Sequence, residues 1–185
     1  TVRAEFEGAW GVALSPEPGL RIPNMFEAAL AGSFMGLYCE GEDIVQSDPN
    51  TQHVTAALSA MECVVVQDIF LNETAKYAHV FLPGASFLEK DGTFTNAERR
   101  ISRVRKVMAP LAGYADWEVT QLLANALGYA MHYTHPSEIM AEIAALTPSF
   151  AGVNYDKIDR LGSVQWPCND STEEAGTSIM PVSYT

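Results

Sequence analysis

The sequence predicts an α/β protein built on a Rossmann-like parallel sheet that is flanked by helices. Short apolar runs typical of buried strands recur in the first half of the chain, at residues 37–39, 63–66 and 79–82. Segments with helical spacing separate these runs. Connections of that length must cross over the sheet, so the strands should be parallel and their carboxyl ends should meet at one edge.

Local signals predict the remaining elements of this half. Residues 1–23 contain three prolines and little periodicity, which predicts an extended, turn-rich initial segment. Asn24 is a candidate N-cap for a short helix that Gly32 closes. The turn at residues 48–50 starts a second helix, in which apolar residues recur at helical spacing. A third, shorter helix is predicted around residues 73–77.

The second half of the chain has weaker signals. Residues 100–107 alternate basic and apolar side chains, which predicts an exposed strand or a short helix. Asp116 begins a helix with an apolar stripe, and another helix is predicted over residues 136–146. No periodicity follows Phe150, so we expect irregular structure there and a loop or frayed end after Cys168.

Length and composition indicate one folded domain, or one domain with a piece of another. The residues are 48% hydrophobic and 18% charged, which is ordinary for a folded soluble protein. Neither a membrane span nor a signal peptide is predicted. We assign residues 1–128 to a partial Rossmann-like domain and residues 129–185 to a helical and irregular extension that leads into a neighbouring domain. Because the sequence begins with Thr1 rather than Met, we expect it to be a piece of a longer protein.

The charge pattern restricts the partners of this chain. A formal net charge of −12 repels phosphates, which disfavours sequence-independent binding to nucleic acid. Six basic residues nevertheless cluster within a short stretch: Lys90, Arg99, Arg100, Arg103, Arg105 and Lys106. A local basic patch on an acidic protein indicates a discrete anionic partner. The alternative is a solvated basic face of a helix or hairpin.

The three cysteines are scattered and lack CxxC spacing, which argues against a disulfide scaffold. Cys39 and Cys63 lie in strand-like apolar runs and are most simply buried thiols. This usage fits a reducing, cytoplasmic location. The cysteines form no zinc or iron–sulfur motif, and the four histidines lack metal-ligand spacing, so we assign no metal ligand.

The residues that follow the strands carry the candidate chemistry, because ligands of parallel sheets bind beyond the carboxyl ends of the strands. These ends are residues 40–43, 67–72 and 83–86. The carboxylate of Asp68 could accept hydrogen bonds from the exocyclic amine and ring N–H of guanine, or from ribose hydroxyls. It could equally cap the next helix or form an Asx turn, and Asn72, Glu73 and Thr74 could likewise cap that helix.

Two further residues are ambiguous from the sequence pattern. Lys90 lies in a glycine-containing turn beside the strand ends, where it could reach a phosphate as a mobile charge. It could instead form an exposed ion pair that contributes little. Asp116 could be only the N-cap of its helix. Because no GxGxxG, Walker or GxSxG motif and no nucleophile–base set is present, we predict a binding unit with no catalytic residue.

Several collinear stretches make the sequence similar to a known family. They are GEDIVQSDPN, VVVQDIFLNETAKYAHVFLPGASFLEKDGTFTNAERR, ADWEV followed by LGY, and MHYTHPSEIMAEIAALTPSFAGVNYDKIDRLGSVQWPCND. These stretches resemble the molybdenum/tungsten bis-pterin oxidoreductases, most closely the catalytic alpha subunit of soluble, NAD-linked formate dehydrogenases. The resemblance implies that residues 1–128 belong to a domain that binds a molybdopterin guanine dinucleotide.

The resemblance also implies a set of cofactor-binding residues: Asp43, Gln67, Asp68, Asn72, Lys90 and Asp116. Gln67 and Asp68 would lie at the guanosine end of one dinucleotide. Asn72 stands where the family often supplies a side-chain hydroxyl or amide. His79 stands where relatives more often carry Asp, so no role is transferred to it.

The full protein that the resemblance implies oxidises formate to CO2 at a molybdenum or tungsten centre held by two guanine-dinucleotide pterins (bis-MGD). Electrons would leave through a 4Fe–4S centre to iron–sulfur and NAD-reducing partner subunits. The family's Cys or selenocysteine metal ligand, its neighbouring His and its cysteine cluster have no counterpart here. The resemblance therefore implies an internal fragment that contacts other domains of the same subunit and is catalytically silent alone.

Two alternatives remain at this point. The chain could belong to a pterin-free structural or electron-relay subunit, like the large iron–sulfur subunit of respiratory NADH dehydrogenases, which shares the fold. The joint presence of Gln67, Asp68, Lys90 and Asp116 favours the formate dehydrogenase interpretation. A small-nucleotide-binding module outside redox chemistry is disfavoured only by the long resemblance.

Overall fold

The computed structural model describes residues 1–169 and 175–177. The α-helices are α1 (Val2–Trp10), α2 (Ile22–Leu30), α3 (Ile44–Ser47), α4 (Thr51–Ala60), α5 (Asp116–Ala126), α6 (Pro136–Leu146) and α7 (Tyr155–Leu161). The strands are β1 (Gly36–Glu40), β2 (Cys63–Asp68), β3 (Val80–Pro83), β4 (Gly92–Thr95), β5 (Arg100–Val104) and β6 (Ser163–Gln165). Two short 3-10 helices span Thr74–Tyr77 and Pro148–Phe150. Within these described ranges, none of the helices has the length and apolar character that crossing a membrane requires.

The described residues form two compact units. The parallel-sheet unit spans Ser15–Ser86, and the antiparallel-sheet unit combines Thr1–Leu14 with the described residues from Phe87 onward. These units follow from packing within the chain. The sequence predicted a different boundary, between a cofactor-binding domain at residues 1–128 and an extension at residues 129–185. That boundary stays a prediction.

The parallel-sheet unit has the predicted α/β architecture. Its sheet has the order β1-β2-β3, and both pairs of neighbours run parallel. Val66 in the central strand lies opposite Cys39 of β1 and Phe81 of β3. The long connections through α3 and α4 and through the Thr74–Tyr77 turn are what parallel pairing requires. The predicted mixed α/β fold, with a parallel sheet flanked by helices, is confirmed.

One apolar core holds this unit together. Val54, Ala57 and Leu58 on α4 follow helical spacing and are fully buried. They pack in the same cluster as Val64 and Val66, which project from one face of β2 because strand side chains alternate between faces. The pattern that predicted these elements is therefore also the pattern that forms the core.

Three details of the first half differ from the sequence prediction. Residues 2–10 form helix α1 rather than a turn-rich segment, since the prolines all lie beyond residue 15 and leave this stretch uninterrupted. Helix α2 begins at Ile22, so Asn24 is not its N-cap, because Pro23 suits the first helical turn. Cys63 is exposed rather than buried, because it is the first residue of β2 and the buried run begins at Val64.

For residues 100–107 the sequence allowed either an exposed strand or a short helix. Strand β5 pairs antiparallel with both β4 and β6, so the strand interpretation is right. Ile101 on β5 is buried opposite Val164 on β6, and both belong to the core of this unit. The helix predicted over residues 136–146 is confirmed as α6.

The expectation of irregular structure after Phe150 is wrong for part of the segment. Helix α7 and strand β6 are both present, but they are only 7 and 3 residues long. Elements this short give too few periods for a sequence pattern to detect. Of the loop predicted after Cys168, residues 170–174 and 178–185 lie outside the described residues.

Shortening a side chain in the core of the parallel-sheet unit should destabilise it strongly. Leu58 is 0% exposed, so we expect Leu58→Ala to lower the free energy of unfolding by about 2–5 kcal/mol through lost burial and a residual cavity. Leu71 is 79% exposed and provides the matched control, with an expected change within about 0.5 kcal/mol. Urea unfolding followed by far-UV circular dichroism measures both. Equal effects of the two substitutions would contradict the assigned core.

Candidate functional site

The carboxyl end of β2 is surrounded by the turns that follow its neighbouring strands. The N–H of Gly41, just after β1, donates to the carbonyl oxygen of Gln67 at 2.9 Å. The N–H of Gly84, just after β3, donates to the carbonyl oxygen of Asp68 at 2.9 Å. The three strand ends therefore form one polar edge, as the parallel order predicts.

Asp68 ends the central strand and organises the loop that follows it. Its Oδ1 accepts from the N–H groups of Ile69 at 2.6 Å and Phe70 at 3.4 Å. Its Oδ2 accepts from Nδ2 of Asn72 at 2.9 Å. The Asx-turn role that the sequence allowed for Asp68 is thus realised. The residue remains partly exposed at the edge.

Asn72 connects Asp68 to the next element. While its Nδ2 donates to Asp68, its Oδ1 accepts from the N–H of Ala75 at 2.9 Å, within the 3-10 helix Thr74–Tyr77. The Asn72 side chain thus satisfies a backbone N–H of this 3-10 helix from just before its N-cap, which is Glu73. Two of the candidate residues, Asp68 and Asn72, are therefore in direct contact.

Asp43 fixes the same loop from the end of β1. Its Oδ1 accepts from the N–H of Thr74 at 3.0 Å and from the Thr74 hydroxyl at 2.7 Å, and its Oδ2 accepts from the N–H of Glu73 at 3.2 Å. Partial burial alone would raise the pKa of the Asp43 carboxyl. The hydrogen bonds from Thr74 and Glu73 outweigh burial and hold this pKa below its usual value.

Gln67 is placed differently from the other candidates. It is 1% exposed, and its Oε1 accepts a short hydrogen bond from the hydroxyl of Tyr38. Its Nε2 donates to Oε1 of Glu40 at 3.4 Å. Gln67 therefore joins the ends of β1 and β2 from within the protein.

Sequence reasoning missed Tyr38 and the long-range contacts of Thr74. The buried Thr74 hydroxyl donates to Asp43 and accepts from the N–H of Val45 at 3.1 Å, which joins the turn after β1 to the turn after β2. The position of Thr74 beside the predicted caps was visible, but its partners lie about thirty residues earlier. No local pattern reports a contact of that separation.

The edge has an acidic electrostatic character. Burial and the nearby carboxylates of Glu42, Asp68 and Asp43 raise the pKa of the Cys39 thiol to about 11. Cys39 is therefore a protonated thiol at neutral pH and not a nucleophile. An acidic edge favours ligand groups that donate hydrogen bonds.

Lys90 and Asp116 lie in the antiparallel-sheet unit and contact each other. Nζ of Lys90 forms a short ion pair with Oδ2 of Asp116, and the two side chains are 27% and 19% exposed. Helix α5 begins at Asp116 and its N-cap is Ala115, so the suggestion that Asp116 is the N-cap is wrong. The N–H of Ala115 donates instead to the carboxylate of Glu118 at 2.7 Å.

Much of the basic cluster has carboxylate partners within the same unit. Arg103 lies 3.1 Å from a carboxylate oxygen of Asp159, and its guanidinium stacks over the ring of Tyr155 at 3.7 Å. Arg105 pairs with the other oxygen of Asp159 at 2.7 Å, and Arg100 pairs with a neighbouring glutamate. For these three arginines the packing favours the hairpin-face interpretation over an open anion site.

A cavity in the parallel-sheet unit does not coincide with the candidate residues. It measures about 460 Å³, borders β1 and is lined mainly by apolar side chains such as Met25, Phe34 and Leu37. None of the candidate residues lines it. Within the part of the chain that the structure describes, no group of three or more His, Cys, Asp or Glu side chains could hold a metal ion.

Comparison with known families identifies the class of this chain. Residues 7–126 match the family described as molybdopterin oxidoreductase. The chain belongs to this family, which implies a molybdenum or tungsten pterin cofactor.

Curated relatives support the same class. A protein of Staphylococcus haemolyticus, provisionally named formate dehydrogenase, is 49% identical over 175 residues, which are 94% of this chain and 18% of that protein. A Staphylococcus aureus protein with the same provisional name is 47% identical with the same coverage. The chain therefore spans less than a fifth of the length of the curated relatives it matches and corresponds to part of a larger protein.

A solved structure supports the fold. Acetylene hydratase from Pelobacter acetylenicus matches with a TM-score of 0.63 over 89% of this chain and 24% of its own. The two sequences are 18% identical, so the likeness concerns the fold alone.

Replacing Asp43 should reveal a pH-dependent contribution to stability. Because the pKa of Asp43 in the folded chain lies below 3.8, its carboxylate stabilises the fold above that pH, and this stabilisation is lost as the pH falls through the folded-state pKa. We expect Asp43→Asn to lower the free energy of unfolding by about 1–2 kcal/mol at neutral pH. The difference from wild type should shrink at about pH 3.

Urea unfolding at the two pH values measures this difference. Glu62→Gln is the control, because Glu62 is exposed and precedes the same strand. A loss for Asp43→Asn that is independent of pH would contradict the assigned charge on Asp43.

A double-mutant cycle should separate the Lys90–Asp116 pair from ordinary surface pairs. With Lys90→Met and Asp116→Asn, we expect a coupling energy of about 1 kcal/mol, because both side chains are largely shielded from solvent. The exposed pair of Lys76 and Glu73, at 64% and 45% exposure, should give about 0.3 kcal/mol. Urea unfolding of wild type and the six variants, two single and one double for each pair, provides both values. Equal coupling in the two cycles would refute a special role for the Lys90 pair in stability.

Proposed function

We propose that this chain binds the guanine-dinucleotide form of a molybdenum or tungsten pterin cofactor, within a larger protein that oxidises formate. The observation that carries the proposal is the contact between Asp68 and Asn72 at the carboxyl end of a central parallel strand. Ligands of such sheets bind at this edge, and membership of the molybdopterin oxidoreductase family supports the class of cofactor.

The hydrogen-bonding chemistry of the edge fits guanine. A carboxylate offers about four acceptor positions, and three hydrogen bonds to the Asp68 carboxylate come from its own loop. The partly exposed Asp68 therefore retains one acceptor position, on Oδ2, for the ring N–H or the exocyclic amine of guanine. The amide nitrogen of Asn72 carries two N–H groups, and Asp68 accepts one of them.

The four candidates of this edge then have two kinds of role. Asp68 and Asn72 would contact the cofactor directly. Asp43 would act by positioning, because its carboxylate holds the backbone at Glu73 and Thr74 next to Asn72. Gln67 would also position the edge, because it is buried and joins the strand ends. Such preorganisation lowers the entropic cost of binding.

For Lys90 and Asp116 we propose contact with a phosphate of the same class of cofactor. The Lys90 ammonium is a compact charge on a flexible stem, which suits a phosphate oxygen. Asp116 would orient this ammonium through their ion pair. The pair keeps Lys90 in a defined place instead of leaving it mobile on the surface.

The bound cofactor would supply the two-electron chemistry at its metal, and this chain would supply binding and electrostatics. The provisional names of the relatives support formate as the substrate of the larger protein. We further propose that electrons leave through iron–sulfur centres to an NAD-reducing partner. The 185-residue chain alone should not oxidise formate.

The role of Asp68 can be tested in the full-length protein. Asp68→Asn retains an Oδ1 acceptor for the loop but removes the negative charge that would face guanine. We expect the variant to lose about tenfold or more in cofactor occupancy, since a lost hydrogen bond to a charged group costs about 1.5–3 kcal/mol. Formate oxidation should fall in proportion. Molybdenum or tungsten content, pterin content and guanine nucleotide released by acid hydrolysis measure occupancy.

Glu62→Gln is the matched control and should leave occupancy and formate oxidation unchanged. Circular dichroism must show that Asp68→Asn is folded. Normal cofactor content in a folded Asp68→Asn protein would eliminate the guanine-binding role. Normal cofactor with no formate oxidation in the wild type would instead eliminate formate as the substrate.

A further inference from the structure

The core of the antiparallel-sheet unit contains a lysine and a cysteine that face each other. Lys157 on α7 is 6% exposed, and Cys168, just beyond β6, is 0% exposed. Nζ of Lys157 lies 3.9 Å from Sγ of Cys168. Neither Lys157 nor Cys168 takes part in the proposed cofactor binding.

A buried lysine in this position is unusual, because lysine is among the residues that are seldom fully buried. The backbone of Lys157 already has its role, since its N–H donates to Oδ1 of the N-cap Asn154 at 2.8 Å. That role needs no particular side chain. The amine is nevertheless directed inward, into the cluster that contains Ile158, Val164 and Cys168.

The backbone around Cys168 is equally fixed. Its N–H donates to the carbonyl oxygen of Ser149 at 2.9 Å, and its carbonyl oxygen accepts from the N–H of Gly152 at 2.8 Å. The sulfur is therefore held on a rigid frame opposite a flexible lysine side chain. Forming an S–N bond requires Nζ to move about 2 Å closer, and the lysine stem has several rotatable bonds.

We propose that Lys157 and Cys168 form a peroxide-dependent covalent modification site, a lysine–cysteine sulfenamide. In the first step hydrogen peroxide oxidises the thiol, so that a sulfenic acid and one water form as the O–O bond breaks. In the second step Nζ of Lys157 gives up a proton and attacks the sulfur with the lone pair so freed. The S–N bond forms, the S–O bond breaks, and the hydroxyl leaves as water with a proton from the amine.

The surroundings favour the amine as the group that captures the sulfenic acid. A sulfenic acid condenses with a neighbouring thiol or nitrogen, whichever is within reach. Among the described residues, the core around Cys168 holds no second cysteine, whereas the Lys157 amine is in contact with the sulfur. Peroxide is small and neutral, so brief local opening gives it access to the buried sulfur.

The modification would tie α7 to the segment after β6. Residues 157 and 168 are separated by 11 positions, so the bond would close a short loop around β6. Closing a loop restricts the opened state, which stabilises the closed one. The product would therefore resist local opening of α7 and β6 more than the reduced form does.

Peptide mapping of the protein before and after hydrogen peroxide tests the proposal. Trypsin cleaves after unmodified lysine, so we expect cleavage after Lys157 to be lost in the treated protein. A crosslinked peptide that contains Lys157 and Cys168 should appear, lighter by two hydrogen atoms than the sum of its parts. Dithiothreitol should restore both the thiol and the cleavage, because thiols reduce the S–N bond.

Lys157→Arg is the informative variant, because it keeps the charge and the tryptic site but lacks the primary amine. Dimedone, which traps sulfenic acids, should label Cys168 severalfold more in this variant than in wild type. Cys63→Ser is the control and should leave the crosslink unchanged. The wild-type map does not depend on the folding of any variant.

Two outcomes would overturn the proposal. One is oxidation of Cys168 to a dimedone-reactive or sulfinic form while Lys157 is still cleaved. The other is a Cys168 thiol that survives peroxide concentrations at which the exposed Cys63 is fully oxidised.

Discussion

The parallel pairing of β2 with a strand on each side is the constraint on which the candidate edge depends. Parallel strands must all end on the same side, so the polar residues after β1, β2 and β3 are brought together whatever their distance along the chain. Val64 and Val66 hold the central strand in the core, and Asp68, at the end of that strand, is partly exposed. The backbone hydrogen bonds from Gly41 and Gly84 then close the neighbouring turns onto that end. Strand β2 therefore contributes both to the apolar core, through its valines, and to the polar edge, through Asp68 at its end.

The candidate residues stabilise the edge that they are proposed to use for binding. Asp68, Asn72 and Asp43 together accept or donate the hydrogen bonds that shape the loop at residues 69–74. A structural role and a ligand role are compatible here, because a carboxylate has more acceptor positions than the loop consumes. Residues with both roles present a ligand with groups that are already oriented, which reduces the entropy lost on binding. Because these residues also stabilise the loop, a variant at this edge must be shown to be folded before a loss of cofactor is attributed to a lost contact.

In the antiparallel-sheet unit, several basic side chains form ion pairs with carboxylates of the same unit. Arg103 and Arg105 share Asp159, and Lys90 pairs with Asp116, so cations that look like an open patch in the sequence have partners in the fold. Ion pairs that are only partly shielded contribute modestly to stability, but they fix long side chains in place. Lys157 is more deeply buried than these residues, and its amine contacts the thiol of Cys168. Its chemistry follows from that contact and not from a surface charge.

The sequence by itself determined the α/β class, the three parallel strands, the presence of helices α2, α4, α5 and α6, and the position of Asp68 and Asn72 at or just after a strand end. These features follow from periodicity and turn chemistry over a few neighbouring residues, and such local preferences are strong enough to read directly. Only the tertiary structure decided that Lys90 meets Asp116, that Thr74 joins two turns, that Gln67 is buried, and that Lys157 faces Cys168. It also added α7 and β6, whose few residues form no readable period. The physical reason is the same in each case. Contacts between residues far apart in sequence are fixed by the packing of whole elements, and no local pattern carries that information.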